Sequence, residues 1–84
     1  MAFGFPIVLD LTDVPVLLVG GGNIASRKAG QLLDAGARLT VVAPVVHDEL
    51  AGRAAEVRRR PYERDDIAGH RLVMTATDDP AVNA

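Results

Sequence analysis

"LLVGGGNIASRK", residues 17–28, sets three consecutive glycines between an apolar run and a segment of helical periodicity. Glycine loses more conformational entropy on ordering than any other residue, so three in a row between ordered elements destabilise a chain unless something approaches that backbone closely. Gly20, Gly22 and Ala25 satisfy the spacing G-x-G-x-x-[G/A]. In that pattern Gly20 permits a tight turn out of a strand, Gly22 lets a pyrophosphate reach the main chain, and the small Ala25 lets the helix pack closely on the strand. The N–H groups of the first helical turn then face the anion. The competing reading is a merely tight strand-to-helix turn. A P-loop is excluded because Lys28 stands too late and no Ser or Thr follows it, and a kinase-type loop because a helix follows where a hairpin is needed.

Working outward, residues 16–19 form a fully apolar run, which suits a strand buried on both faces in a parallel sheet. Before it, residues 7–11 (IVLDL) read as a short strand, set apart by the turn-forming TDVP of residues 12–15. From Asn23, Ala25, Ala29, Leu32 and Leu33 recur at helical spacing opposite Arg27, Lys28, Gln31 and Asp34, and Gly36 supplies the left-handed stop. Residues 39–43 (LTVVA) predict the next strand, residues 47–55 a short helix weakened by Gly52, residues 56–62 (EVRRRPY) a modest strand, and residues 71–77 (RLVMTAT) a firmer one. This alternation predicts an α/β fold with a doubly wound, mostly parallel, Rossmann-like sheet and right-handed crossovers that place helices on both faces. After the fourth parallel strand only DDPAVNA remains, in which Asp79 would cap a helix and Pro80 open it. An uncovered parallel strand exposes apolar surface, so the domain, residues 1–84, is expected to be truncated there, a fragment of a longer protein.

The chain has 84 residues, room for one domain, and 49% of them are hydrophobic, enough for a folded core. Nine basic against eleven acidic side chains give a net charge of −2, which argues against nucleic acid as a partner. With no cysteine, the chain holds no disulfide, thiolate metal site or Cys nucleophile. No basic n-region precedes a long apolar stretch and no run reaches transmembrane length, so a soluble cytoplasmic protein without membrane association is expected.

The tip of the second strand reads Ala43-Pro44-Val45, where an Asp or Glu ordinarily holds the ribose 2′-OH. A carboxylate there would also repel a 2′-phosphate, so its absence leaves NAD against NADP open and leaves the ribose to backbone groups around Pro44 and Val45. Thr77 and Asp78 end the last strand; they either face the ribose or nicotinamide or cap the following helix. Arg27 and Lys28 read as solvated surface more readily than as pyrophosphate partners. Arg58, Arg59 and Arg60 are flanked by Glu56, Glu63, Asp65 and Asp66 and read as a solvated strand rather than an anion patch. His47 and His70 stand without ligand-spaced partners, so no metal site is expected. No Ser-His-Asp set or paired carboxylates stand out.

The segments GGGNIASRK, LLDAGA, VVAP and ATDD with Asn83, in this order, resemble the N-terminal dehydrogenase domain of siroheme synthase, the precorrin-2 dehydrogenase and sirohydrochlorin ferrochelatase family. The resemblance covers essentially the whole chain. It implies oxidation of the tetrapyrrole precorrin-2 to sirohydrochlorin with NAD as hydride acceptor, in siroheme (porphyrin-type) biosynthesis, with iron insertion in some members and a fused methyltransferase in others. It implies that Gly20, Gly21, Gly22, Asn23 and Ile24 hold the cofactor at the helix N-terminus and Pro44 and Val45 at the second strand's tip. It also implies that the catalytic aspartate and the homodimerisation segment lie beyond Ala84. No residue here is therefore expected to be catalytic, and the chain alone is expected to bind NAD weakly and turn nothing over. The rival reading is a non-enzymatic NAD(H)-sensing module built on the same loop.

Overall fold

The computed structural model describes residues 8–76. Their order is β1 (Pro15–Val19), α1 (Asn23–Asp34), β2 (Arg38–Val42), α2 (Asp48–Arg53), β3 (Glu56–Arg58), a 3-10 turn (Arg64–Ile67) and β4 (Leu72–Thr75). The strands form one sheet in the order β3-β2-β1-β4, every pairing parallel. Val19 pairs with Val42 on one side and Thr75 on the other, so β1 is central and its carboxyl end is flanked by two strand ends. The chain winds outward through β2 to β3 and then returns across β1 to β4. That reversal makes the sheet Rossmann-like and doubly wound, and it opens a crevice at the carboxyl edge.

Strand alternation sorts the core into two faces. Val16, Leu18, Leu39 and Val41 share a cluster with Ala25, Ala29 and Leu32 of α1 and Leu50 of α2. Leu17, Val19 and Val42 form the opposite cluster, against Tyr62. Val16, Leu17 and Leu18 are fully buried, which explains the unbroken apolar run, and each contributes about 1.5–3 kcal/mol of burial free energy. Both α-helices lie on one face because two successive right-handed crossovers run the same way across the sheet. Among the described residues the return crossing carries the 3-10 turn in place of an α-helix.

The end of α1 follows the sequence closely. Gly36 has φ +88°, its N–H donates to the Leu33 carbonyl (2.9 Å), and the Ala37 N–H donates to Leu32 (3.1 Å), which is a Schellman cap.

Three expectations need correction. Residues 8–11 are not a strand, and Ile7 lies outside the described residues. Asp10 Oδ1 accepts from the Thr12 N–H (3.0 Å) and the Thr12 hydroxyl (2.7 Å), Val14 N–H donates to Leu11 (2.8 Å), and Asp13 takes φ 59°. The segment satisfies its polar groups in a local turn, while both edges of β1 are already paired. The strand expected over residues 56–62 is three residues long, because Arg60 N–H turns back onto the Arg58 carbonyl (3.0 Å) before Pro61. The arginines of that segment are not simply solvated, since Arg58 and Arg60 both bind the buried Asp66.

Candidate functional site at the carboxyl edge

The glycine loop leaves β1 at the sheet's centre. Gly20 has φ 132°, a region that side chains with a Cβ rarely enter, and its N–H still reaches the Val42 carbonyl at 3.0 Å. The sharp exit from the strand therefore needs glycine at this position. Ala76 N–H donates to the Val19 carbonyl (2.8 Å), so the end of β4 lies beside the same exit. Thr77 and Asp78, which follow it, lie outside the described residues.

Gly21 and Gly22 differ in what surrounds them. Gly21 is buried, and a Cβ there would fall 2.1 Å from the Val45 carbonyl oxygen and 2.7 Å from Val46 Cα. Its own carbonyl accepts from the His47 N–H at 2.9 Å. The bare Gly21 backbone is what allows the loop after β2, carrying Pro44 and Val45, to lie directly on the glycine loop. Gly22, by contrast, is exposed, and a Cβ there would meet nothing within 4 Å. The spacing alone marked Gly22 as the point of close approach and assigned Gly21 no packing role. Its contact with a loop far along the sequence left no local signal.

Gly22 is the N-cap of α1. It offers no side-chain hydrogen bond to the first turn, and that turn holds no acidic residue. The first-turn N–H groups and the positive end of the helix dipole are thus left without a capping side chain. An anion such as a pyrophosphate suits this helix end: its main-chain donors have no side-chain cap, a Cβ at Gly22 would meet no described atom within 4 Å, and no carboxylate of α1's first turn repels it. Asn23, Ile24, Pro44 and Val45 are all exposed around it, and Ile24 and Val45 present apolar surface. Ala25 is fully buried, as close helix-to-strand packing requires.

A shallow hollow of about 360 Å³ runs along α1's outer side, lined by Ile24, Arg27, Lys28 and Gln31. It shares only Ile24 with the coenzyme contacts expected from the sequence and is distinct from the opening at Gly22. Among the described residues no group of His, Asp and Glu side chains is placed to hold a metal ion, and no helix is long and apolar enough to cross a membrane.

The far face carries a charged cluster that the sequence reading missed. Asp66 is 2% exposed; it accepts from Arg58 (2.9 Å), from Arg60 (2.9 Å) and from the Glu63 N–H (2.8 Å). The Arg60 hydrogen bond first, then the Glu63 N–H and Arg58, hold its carboxyl well below the usual carboxylate range, against the opposing effect of burial. Arg58 also binds Glu56, and both guanidiniums are held protonated by these partners. The available signal was the R-x-R spacing, which puts Arg58 and Arg60 on one side of the chain. Arg59 departs the other way and donates to the Val46 carbonyl at 3.2 Å.

Comparison with known proteins agrees with this geometry. The family model described as "Putative NAD(P)-binding" matches residues 7–84. Siroheme synthase of Methylococcus capsulatus (strain Bath) is 52% identical over 83 residues, covering 94% of this chain and 18% of the relative. Siroheme synthase of Pseudomonas putida (strain W619) matches with the same identity and coverage. The solved structure of SirC, precorrin-2 dehydrogenase, superposes with a TM-score of 0.84 at 38% identity, over 95% of this chain and 42% of that one. The chain thus spans about a fifth of the length of these siroheme synthases. It belongs to the family described as "Putative NAD(P)-binding", and over nearly all its length it matches the N-terminal part of siroheme synthases and precorrin-2 dehydrogenase.

Proposed function

We propose that this chain is the dinucleotide-binding part of a precorrin-2 dehydrogenase, which oxidises precorrin-2 to sirohydrochlorin in siroheme biosynthesis. The observation that carries the reading is the opening at Gly22, an uncapped helix N-terminus with free space before it, in a chain similar over nearly all its length to a precorrin-2 dehydrogenase. In this reading the N–H groups of Gly22, Asn23 and Ile24 hold the pyrophosphate. Gly20 and Gly21 shape the loop, and Pro44 and Val45 receive the adenosine ribose through their backbone. Thr77 and Asp78, next in the sequence after the described residues, are assigned to the ribose or nicotinamide in the same reading. NAD, when bound, supplies the hydride acceptor. The exposed Ile24 and Val45 offer it apolar contact surface.

The tetrapyrrole pocket, the catalytic acid and the homodimer contact belong to the whole protein, which we place in the cytoplasm; iron insertion, which the resemblance implies for some members, would fall to that whole protein too. The likeness to enzymes favours this reading over an NAD(H)-sensing module. Its test is to supply precorrin-2 and NAD to the whole protein carrying this segment. Sirohydrochlorin and NADH are expected in equal amounts, with one proton released for each hydride transferred. Binding of NAD without oxidation of precorrin-2 would leave only the coenzyme part standing, and absence of NAD binding would remove both.

A further inference from the structure

We infer that residues 58–60 are a clamp that holds the loop after β2 in place on Gly21, with Arg59 as its positioning residue and Asp66 as the latch that sets its geometry. The functional consequence rests on the coenzyme reading above, because Pro44 and Val45 belong to that loop, and Arg59 itself is given no contact with the coenzyme. The loop has few holds of its own. Pro44 and Val45 are exposed, and the loop meets the glycine turn through the Val45 carbonyl, which lies against Gly21, and through the His47 N–H, which donates to the Gly21 carbonyl at 2.9 Å.

The clamp grips this loop on both sides of Pro44 and Val45. Where β2 stops, the Ala43 N–H donates to the Arg58 carbonyl (3.1 Å), an acceptor that also takes the Arg60 N–H (3.0 Å) as the chain turns. Further along, Arg59 Nη1 donates to the Val46 carbonyl (3.2 Å). The two residues that the reading gives to the coenzyme therefore stand between two points tied to the end of β3.

Arg59 reaches Val46 because its neighbours are held on the opposite side. Side chains alternate along extended chain, so Arg58 and Arg60 share one side and Arg59 takes the other. Asp66, only 2% exposed, accepts from both Arg58 (2.9 Å) and Arg60 (2.9 Å) and so pins the turn from the far face of the sheet. A lone hydrogen bond from an exposed arginine gains little, because a long side chain must be ordered to make it. Two charge-assisted bonds that already fix the flanking residues reduce that loss. Among the described residues Arg59 makes no ion pair that would draw it away from the loop.

The experiment compares wild type with Arg59→Ala, Arg59→Lys, Asp66→Asn and the double variant Arg59→Ala/Asp66→Asn. Amide hydrogen exchange of His47 in the coenzyme-free protein, measured relative to the amides of β1, reads the hold on the loop, and calorimetric titration with NAD reads its consequence. Arg59→Ala is expected to speed His47 exchange about fivefold and to weaken NAD by a similar factor, with the β1 amides moving less than about twofold. Arg59→Lys, which keeps a charged donor, is expected to restore most of both. The double variant is expected to exceed the larger single effect on His47 by less than about twofold, because latch and grip act through one turn. His47 exchange that is unchanged in Arg59→Ala, or that rises only in step with β1, would overturn the inference, as would additive effects in the double variant or faster His47 exchange with unaltered NAD affinity. A wild type that binds no NAD would instead overturn the coenzyme reading, and with it the clamp's part in binding, while the exchange data still decide whether the clamp holds the loop.

Discussion

Alanine at Gly21 and alanine at Gly22 are chemically the same change one residue apart, and the structure gives them opposite consequences. At Gly21 the new methyl would lie 2.1 Å from the Val45 carbonyl oxygen, 2.7 Å from Val46 Cα and 3.0 Å from the Val45 carbonyl carbon, all backbone atoms. No rotamer relieves such a clash, so the loop after β2 must withdraw by more than about 1 Å, beyond the reach of ordinary van der Waals contact. That movement strains the His47 N–H bond to the Gly21 carbonyl and the Arg59 bond to Val46. Overpacking of this kind costs about 2–3 kcal/mol, a large fraction of the stability of an 84-residue domain. The expected fall in Tm is about 8–24 °C. At Gly22 the methyl meets nothing within 4 Å and φ is −95°, so the loss is at most about 1 kcal/mol, from a poorer N-cap. On the coenzyme reading the methyl stands where the pyrophosphate approaches the helix end, so NAD affinity is expected to fall by about tenfold or more. Thermal melts followed by circular dichroism, with NAD titration of each variant, separate the two effects. A Gly21→Ala protein that melts within about 3 °C of wild type, or a Gly22→Ala protein that melts below the Gly21→Ala protein, would refute this assignment of roles.

Gly36→Ala places a Cβ at φ +88° and 3.0 Å from Thr12 Cα. It is expected to cost about 1–2 kcal/mol, seen as a lower urea midpoint with unchanged slope. Asp66→Asn is expected to cost about 2 kcal/mol near neutral pH, less than a fully buried pair because Arg58 and Arg60 are partly exposed. The stabilisation by Asp66 is pH-dependent with a definite sign. Its folded pKa is lowered, so the contribution is complete above the unfolded value of about 3.9 and is lost as pH falls from there toward the folded value. Melts of wild type and Asp66→Asn are therefore expected to differ by a constant amount from pH 8 to about pH 5 and to converge below about pH 4. A gap that persists undiminished to about pH 2 contradicts the ion-pair account.

The parts of the fold legible in the sequence were those set by local chemistry. The apolar run at residues 16–19 and the spacing of Ala25, Ala29 and Leu32 located β1 and α1, and Gly36 located the helix end, because burial and a left-handed cap each demand particular residue types. Residues 8–11 misled because their alternation suits a strand, whereas Asp10 and Thr12 offered the backbone a local alternative and β1 had no free edge. Arg58, Arg60 and Asp66 were legible only as a run of charges. Their meaning depends on a turn that folds Asp66 back beneath the sheet. At the site, Gly20, Gly22 and Ala25 could be read from spacing alone, whereas Gly21 depends on the approach of Val45, a contact between segments joined only through α1 and β2.

That division of labour also bears on why the loop has three glycines when the turn itself needs fewer. Gly20 is required by its φ and Gly21 by the neighbouring loop, and both requirements hold whether or not a ligand is present. Neither applies to Gly22: its φ is negative, its surroundings are open, and a Ser, Asp or Asn at this N-cap would satisfy a first-turn N–H that Gly22 leaves to solvent. Judged by folding stability alone, the third position is better filled by a capping side chain. Glycine there is consistent with those N–H groups serving something outside the chain, and a capping Asp would set a negative charge where an incoming pyrophosphate must sit. The physical case for a coenzyme site therefore rests more on Gly22, the glycine the fold does not need, than on the two it does.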